Sequence, residues 1–464
     1  MSMAEHEKIS LNVGGTVFVT TMSTIEIGGK NSLLAKLIQK QQNNDSDVTS
    51  KEIFIDRDPA YFSVLLQLLR TGELEIPKVM SEKALCREAT FFGVLDCVRE
   101  NQRGGLDGNR LRWKQSIHGD ESTSDGTFIR ASSEGGCCVA RGSVVHVYDW
   151  TMEEQRPLNL DYLSVNDVGY LNPERIIICT YELTDQIGGM ASFNTNTAKS
   201  INKYRLPYGD QTSNFTALAL ACSDRHVYAS CRGRGLDQGI AVWDSTTGQH
   251  ADFLRDSSGW PFGDASKLQW LPGSNLLLIA SLSPHSDDTY LCLLDPRSRD
   301  KIWAWTDSTR QFKHTIHLLT DAVAMEESST ICVVNQAEQV GFIDMRVSCR
   351  EPNWGMKYSR KLLKSGGEGC CYSKLAVNGS QLYCSHGDGV HVYCCSCSNG
   401  ERARIVESCR VTTKKSKGKG TGPIADMAIG GDRLFVLRPS QNRFDIWETP
   451  YLPNEDKSKG KGDE

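Results

Sequence analysis

The chain has 464 residues, a formal net charge of −5, 39% hydrophobic residues and 17 cysteines. This length exceeds what one hydrophobic core usually organises, so we expect at least two domains. The balanced charge excludes a broad basic surface for nucleic acid. The longest apolar runs are far shorter than the roughly 18 residues of a membrane helix, so no membrane span is expected.

The first residues, MSMAEHEKIS, lack the apolar segment of a secretory signal. We therefore expect a cytoplasmic protein whose cysteines are mostly free thiols, as is usual in a reducing compartment. A lysine-rich run, KKSKGK at residues 414–419, is too short for a nucleic-acid domain and is predicted to be a surface loop. The alternative is a weak nuclear-import signal, which would add a nuclear location.

Two short alternating runs near the N-terminus predict a β-hairpin. Apolar residues occupy every second position in ISLNV, Val17 and Val19 are two positions apart in the run that follows, and Gly14-Gly15 join the runs. Paired glycines suit a tight turn that needs positive φ. A phosphate-binding glycine loop would lead into a helix, whereas this one leads into another strand.

The stretch IFIDRDPAYFSVLLQLLRTGELEI, residues 53–76, predicts a strand, a turn and a helix. Asp58 is placed to cap the first helical turn, Pro59 suits the first helical position, and Gly72 ends the helix. The helix is apolar on two sides: one stripe comprises Phe62, Leu65, Leu66 and Leu69, and the other comprises Tyr61, Val64 and Leu68. Such a helix is either enclosed within its domain or shares one side with another chain.

One or two further helices are predicted over residues 81–98, and the polar, glycine-rich QRGGLDG that follows suits a linker. The blocks LNVGGTVFVTT, residues 53–76 and LCREATFFGV together resemble the BTB/POZ domain of the KCTD type, which is related to the potassium-channel tetramerisation domain. The resemblance implies an α+β fold over residues 1–100, self-association into homo-oligomers, and in many members binding to cullin-3. Some channel relatives hold a zinc ion near this end with a histidine and several cysteines. Because no histidine lies between His6 and His118 here, we do not expect that zinc site.

The resemblance also implies positions for the contacts of this domain. Asp56, Arg57 and Asp58 match a DRD segment that lies near subunit contacts in the family, although Asp58 is better explained as a helix cap. The residues predicted to contact cullin are Tyr61, Phe62, Leu65, Phe91 and Phe92.

Beyond a linker at residues 101–110, the sequence repeats with a period near 50 residues. Seven short strands end in similar words, at Val147–Asp149, Ser192–Asn194, Val242–Asp244, Leu293–Asp295, Phe342–Asp344, Val392–Cys394 and Ile446–Glu448. A second apolar strand and turn residues precede most of them. The pattern resembles a WD-repeat-like β-propeller of seven blades over residues 111–450, with a polar tail at residues 451–464. The alternative is an irregular pair of β-sandwiches.

The segment that follows the last repeat indicates how the ring closes. The segment beyond Glu448 is too polar and proline-rich for a further strand, so the seventh blade lacks its outer strand. Leu111, Trp113 and Ile117 alternate with polar residues just after the linker, and we expect them to supply that strand.

Groups that could carry chemistry have simpler explanations. Cys394, Cys395 and Cys397, with Cys370-Cys371 and His386, could be zinc ligands, but adjacent cysteines on a strand point to opposite faces, which favours buried thiols. His285 and His317 lie in other blades and no nucleophile motif accompanies them. We therefore predict no catalytic residue, metal or cofactor. Arg232 and Arg234 in CRGRG could bind an acidic target, or lie in a solvated loop.

Together these features predict a non-catalytic, plant-type BTB/POZ protein with a propeller. The most specific expectation is a substrate adaptor of a cullin-3 ubiquitin ligase, in which the BTB domain oligomerises and binds cullin while the propeller recruits an unknown protein target. The alternative is an oligomeric scaffold without ubiquitin chemistry that organises signalling or trafficking partners.

Overall fold

The computed structural model describes two compact units, one built from residues before 106 and the other from Leu106–Thr449. The described residues are 8–28, 32–36, 53–77, 79–95, 97–98, 106–120, 125–160, 164–180, 189–208, 211–213, 215–233, 238–256, 262–282, 289–306, 318–347, 352–355, 371–396, 404–411 and 422–450. The predicted C-terminal tail, residues 451–464, and the linker residues 101–105 lie outside them.

The first unit is a small three-stranded sheet with helices. Its elements are β1 (Lys8–Val13), β2 (Thr16–Thr21), α1 (Met22–Ile27), β3 (Ile53–Ile55), α2 (Pro59–Thr71) and α3 (Glu82–Phe92). The strand order is β2-β1-β3, with β1 and β2 antiparallel and β1 and β3 parallel. The hairpin and the strand–turn–helix predicted from the sequence are therefore present.

Local chemistry fixes the bounds of these elements. Gly14 and Gly15 both have positive φ, and a Cβ on Gly14 would lie 2.3 Å from the Arg57 carbonyl oxygen, so this turn needs glycine. The Asp58 carboxylate accepts the Ala60 amide at 2.8 Å and caps α2. Gly72 ends α2 in the left-handed conformation.

The helix α2 is largely enclosed by its own unit. Phe62, Leu65 and Leu66 are 1% exposed, and Leu68, from the second apolar stripe, is only 2% exposed. The ring of Phe62 contacts that of Phe92 with centroids 4.9 Å apart. The structure therefore supports the interpretation in which this helix is enclosed within its own domain. The exceptions are half-buried positions such as Tyr61.

The second unit contains seven four-stranded antiparallel sheets. The strands of the first three blades are β5 (Phe128–Ala131), β6 (Cys137–Arg141), β7 (Val144–Tyr148) and β8 (Leu158–Asn159); β9 (Val165–Asn172), β10 (Arg175–Thr180), β11 (Gly189–Asn194) and β12 (Ser200–Tyr204); then, after a two-stranded ribbon of β13 (Leu206–Tyr208) and β14 (Gln211–Ser213), β15 (Phe215–Cys222), β16 (His226–Gly233), β17 (Gln238–Asp244) and β18 (His250–Leu254).

Blades four to seven follow the same order. Their strands are β19 (Lys267–Leu271), β20 (Leu276–Ser281), β21 (Tyr290–Asp295) and β22 (Asp300–Thr306); β23 (Leu319–Met325), β24 (Thr330–Asn335), β25 (Val340–Asp344) and β26 (Asn353–Trp354); β27 (Leu375–Asn378), β28 (Gln381–His386), β29 (Gly389–Ser396) and β30 (Arg404–Val411); and β31 (Asp426–Gly430), β32 (Arg433–Arg438) and β33 (Arg443–Glu448), with β4 (Arg112–His118) as the fourth strand.

The seven blades form a closed ring. The first strand of each blade lies beside the first strand of the next, and β31 lies beside β5 to complete the circle. One buried apolar cluster fills each of the seven gaps between adjacent blades. A sandwich would bury its sheets in pairs, so the alternative of two sandwiches is wrong, and the predicted fold class is confirmed. The seven recurring words of the sequence all lie at the ends of third strands, with Asp149 one residue beyond β7.

The outer strand of the seventh blade comes from the start of the unit, as predicted. β4 pairs with β33 antiparallel, from Arg443 opposite His118 to Glu448 opposite Arg112. The Ser116 hydroxyl also donates to the fully buried Asp445 carboxylate at 2.6 Å. The ring is thus held shut by hydrogen bonds between the two ends of one unit.

The propeller unit begins earlier than the sequence suggested. Residues 106–110 were assigned to a linker, but Leu106 is 5% exposed and packs in the cluster between blades six and seven. The Asp107 amide donates to the Thr449 hydroxyl at 2.8 Å, and the Gly108 amide donates to Gln381 at 2.7 Å. These residues are anchored because their backbone amides and one apolar side chain find partners in the blades.

Candidate interaction sites

One face of the three-stranded sheet in the first unit carries three exposed apolar side chains. The strand registers place Val17, Val19 and Phe54 on this face, and they are 54%, 53% and 63% exposed. The opposite face, which carries Leu11 and Val13, is buried. Three large apolar side chains on one sheet face exceed the scattered exposure that needs no explanation, so this sheet face is a candidate protein-binding surface.

The DRD segment beside the sheet makes contacts within its own unit. The Arg57 guanidinium stacks 3.8 Å from the centroid of the Phe91 ring and donates to Glu88 at 3.2 Å. Asp58 caps α2, as the simpler explanation predicted. Asp56 and Asp58 are both exposed, and Asp58 is engaged as the helix cap, whereas Arg57 is half-buried.

Three of the five residues predicted to contact cullin are core residues, which corrects that prediction. Phe62, Leu65 and Phe92 are 1%, 1% and 0% exposed. They pack inside the unit because their positions on α2 and α3 face each other and the sheet. Tyr61 and Phe91 are half-buried and could contact a partner with their remaining surface.

The propeller encloses a central channel with a volume of about 840 Å³. The first strands of the blades line it, and at one end it is rich in charged side chains. The charged residues on its wall are Arg130, Asp167, Arg232, Lys267, Asp321, Lys374 and Asp426. All but Arg232 stand at or near the starts of first strands, so they share one end of the channel.

Three aspartates of the channel join neighbouring blades in the same way. Each carboxylate accepts a backbone N–H from the first strand of the following blade. The pairs are Asp167 with Leu220, Asp321 with Leu375 and Asp426 with Ile129, at 3.1, 2.8 and 3.1 Å. We call these contacts the aspartate clasps. They satisfy amides at the crowded centre of the ring, where an unpaired N–H is costly.

Irregular strand pairing accompanies two of the clasps. The register of β9 shifts next to Asp167, and that of β23 shifts next to Asp321. A bulge re-aims the side chain that follows it, which accounts for carboxylates that reach along the ring. The clasps were not among the features predicted from the sequence. A signal was available, because Asp167, Asp321 and Asp426 recur at the same place in three repeats.

Cations from other blades neutralise the clasp carboxylates. Arg130 donates to Asp167 at 2.7 Å and to Asp426 at 2.6 Å, and Lys267 donates to Asp321 at 2.6 Å. Burial acts to lower the pKa of Arg130, but the two carboxylates outweigh burial and raise that pKa. The guanidinium therefore stays charged and ties three blades together.

The pKa of Asp321 is shifted in the opposite direction. Burial acts to raise it, but the charges of Lys267 and Lys374 and the hydrogen bonds from Lys267 and the Leu375 amide outweigh burial. The pKa of Asp321 consequently lies below its ordinary value. Its side chain is 5% exposed, so this carboxylate is a charged group built into the core.

Of the two arginines that were predicted to bind a target, only Arg232 lies among the described residues. Arg232 stands at the end of β16, lines the channel and forms an ion pair with Asp264. Its side chain is 44% exposed, so it can still reach a ligand. Arg234 lies outside the described residues, as do His285, His317, Cys370, Cys397 and the lysine run at residues 414–419.

The cysteines that were considered as zinc ligands have different surroundings, because neighbouring residues on a strand point to opposite faces. Cys395 packs against the cluster between blades five and six, whereas Cys394 faces Asn109 and Gln381. The Nδ1 atom of His386 lies 2.8 Å from a carboxylate oxygen of Glu338. Among the described residues, no group of three or more His, Cys, Asp or Glu side chains could hold a metal ion.

The described cysteines are free thiols, and many are in the core. Burial raises the pKa of Cys138 and of Cys222 to about 12. Such thiols stay protonated near neutral pH and are poor nucleophiles. Within the described ranges, no helix is long and apolar enough to span a membrane.

Comparisons with known proteins cover both units. Residues 120–449 match the family described as "At2g24240-like, C-terminal beta propeller", and residues 9–100 match the BTB/POZ domain family. The Arabidopsis thaliana BTB/POZ domain-containing proteins At2g24240 and At4g30940 are 42% and 41% identical to this chain, over 96% of it and 98% of each relative. Human BTB/POZ domain-containing protein KCTD17 is 40% identical over 92 residues, which are 20% of this chain and 29% of that protein.

Proposed function

The chain belongs to the At2g24240-like family of BTB/POZ proteins with a C-terminal β-propeller, and from that premise we propose that it is a non-catalytic adaptor of a cullin-3 ubiquitin ligase. A BTB/POZ domain joined to a propeller is the architecture of an adaptor or scaffold, and the KCTD relatives imply protein–protein interaction and oligomerisation. In this proposal the propeller holds a protein target and the BTB unit holds the ligase. Its contribution is proximity.

The observation that carries the proposal is the exposed sheet face of the BTB unit. Val17, Val19 and Phe54 present apolar surface that a second protein surface would remove from water, at a gain of roughly 25 cal/mol per Å². We propose that a second copy of the chain covers this face, with Asp56 beside it. Oligomerisation would then multiply the effective concentration of both bound partners.

A scaffold without ubiquitin chemistry remains the second candidate, because one structural observation favours it. Burial of Phe62, Leu65 and Phe92 removes three of the five residues that were expected to contact cullin. The half-buried Tyr61 and Phe91 leave a smaller surface for that partner.

Binding to cullin separates the two candidates. The purified full-length chain should retain the N-terminal region of cullin-3 at micromolar concentration, and Tyr61→Ala should weaken this retention. Gln67→Ala, an exposed change on the same helix, is the matched control and should leave it unchanged. An intact oligomer that fails to retain cullin would contradict the ligase proposal and support the scaffold.

A further inference from the structure

The two edges of the sheet in the first unit carry opposite charges. The strand order β2-β1-β3 makes β2 and β3 the edge strands. Arg70, in the last turn of α2, donates to the Val19 carbonyl oxygen at 2.6 Å, which holds its guanidinium beside β2. Asp56 directly follows β3 at the other edge, and both charged residues are exposed.

These two charges are too far apart to neutralise each other within one unit. Val19 lies opposite Ser10 on β1, and Ile55 lies opposite Val13. Three residues along β1 and two strand spacings across the sheet separate Val19 from Ile55 by roughly 14 Å, and Asp56 is one residue further. Since the Debye length is about 8 Å at physiological ionic strength, each charge acts mainly on what lies next to its own edge.

The surface between the charged edges has the composition of a protein interface. Val17, Val19 and Phe54 are each more than half exposed, and Ser10 and Asn12 of the central strand are half-buried among them. Apolar side chains surrounded by a charged rim are typical of surfaces that bind another protein. A second copy of the chain supplies the complement of this surface, because it brings an apolar face of its own and a charge of opposite sign for each edge.

The other members of the DRD segment are engaged inside the unit. Arg57 donates to Glu88 at 3.2 Å and stacks on the Phe91 ring, and Asp58 caps α2. Asp56 takes part in none of these contacts, so a change of its charge leaves them in place.

We propose that Arg70 of one copy pairs with Asp56 of another copy, and that this ion pair sets the orientation in which two BTB units cover each other's apolar sheet face. The inference rests on the self-association under the proposed function and adds the charged residues that direct it. Ion pairs at the rim of an interface contribute orientation and specificity more than affinity, because a wrong arrangement brings like charges together.

Charge reversal tests the pairing. Asp56→Arg and Arg70→Glu should each raise the dissociation constant of self-association by about three- to tenfold, because each replaces an attraction at the rim by a repulsion. The double variant Asp56→Arg/Arg70→Glu restores opposite charges and should return to within about twofold of wild type. Sedimentation equilibrium of the full-length protein measures all three variants.

Arg87→Glu is the matched control. It reverses an exposed cation on α3, the helix whose Phe92 ring packs on Phe62 beneath the buried side of the sheet. The dissociation constant should change by less than about twofold. Melting temperatures confirm that every variant is folded.

Two results would overturn the pairing while the self-association stands. In the first, the double variant associates as weakly as the single variants. In the second, the single reversals have no larger effect than Arg87→Glu. A wild-type chain that is a monomer would instead contradict the proposed self-association itself, and the pairing with it.

Discussion

At the residue scale, the aspartate clasps are contacts that join neighbouring blades of the ring. Each combines a carboxylate whose side chain is at most 13% exposed, an amide of the next blade and a cation. A buried ion pair is weak evidence for net stability. Removing one partner, however, leaves the other charge buried without a counter-charge, which lowers the stability of the folded state. Asp321 is the best position to test, because its side chain is 5% exposed and both oxygens accept hydrogen bonds.

We predict that Asp321→Asn lowers the free energy of unfolding of the propeller by about 2–4 kcal/mol, because it leaves Lys267 near a neutral amide. Asp252→Asn is the matched control, since Asp252 pairs with the largely exposed Arg299 on the surface. It should cost less than about 1 kcal/mol. Urea unfolding of the full-length protein measures both, and equal losses would show that the clasp adds nothing beyond a surface pair.

The shifted pKa of Asp321 predicts a dependence on pH. Its folded pKa lies below its unfolded value, so the folded state binds this proton less readily than the unfolded state. The stabilisation is present above the unfolded pKa, near 3.9, and is lost as pH falls through the folded pKa. The difference in stability between wild type and Asp321→Asn should therefore be constant near neutral pH and shrink below about pH 4. A difference that persists or grows there would contradict the assigned shift.

At the scale of elements, β4 is the strand on which the ring depends. It supplies the fourth strand of the seventh blade and a hydroxyl to the buried Asp445. Without it, β33 would become an exposed edge and Ile446 would lose cover on one side.

We predict that a fragment beginning at residue 119 melts at least about 10 °C below a fragment beginning at residue 106, or fails to fold. Both fragments lack the BTB unit, so the comparison isolates residues 106–118. Differential scanning calorimetry measures the effect. Equal melting temperatures would rule out strand exchange as a stabilising device.

The sequence predicted elements better than it predicted sites. The sequence predicted the Asp58 cap, the helix end at Gly72 and the closing strand around Ile117. These features could be predicted because helix caps and strand alternation depend on only a few neighbouring residues. The burial of Phe62 within its own unit could not be predicted from the sequence. Periodicity shows that one side of a helix is apolar, but it does not show whether that side packs within the domain or against another chain. The Asp167 clasp depends on a backbone amide 53 residues away, so only the comparison of aligned repeats, and not a pattern within a few residues, could indicate it.

At the scale of the whole molecule, the two units divide the work. The BTB unit presents an apolar sheet face suited to a second protein surface, and the propeller presents a rigid ring with a charged channel opening. Under the proposed adaptor function neither unit requires a catalytic group, since an adaptor acts by holding partners close together.

We predict that Phe54→Glu weakens self-association by at least about tenfold, because it replaces the most exposed of the three apolar side chains on this sheet face with a charge. Gln67→Glu adds the same charge at an exposed position of α2 and should leave self-association unchanged. Sedimentation equilibrium over a range of concentrations measures both. A wild-type-like oligomer of Phe54→Glu would place the contact elsewhere.

The most direct test of the account is the solution mass of the wild-type chain by size-exclusion chromatography with multi-angle light scattering. The account predicts a single species whose mass is an integral multiple of the 51.5 kDa chain, greater than one, at micromolar concentration. A mass of one chain under those conditions would contradict it, since an adaptor that relies on paired BTB units cannot act as a monomer.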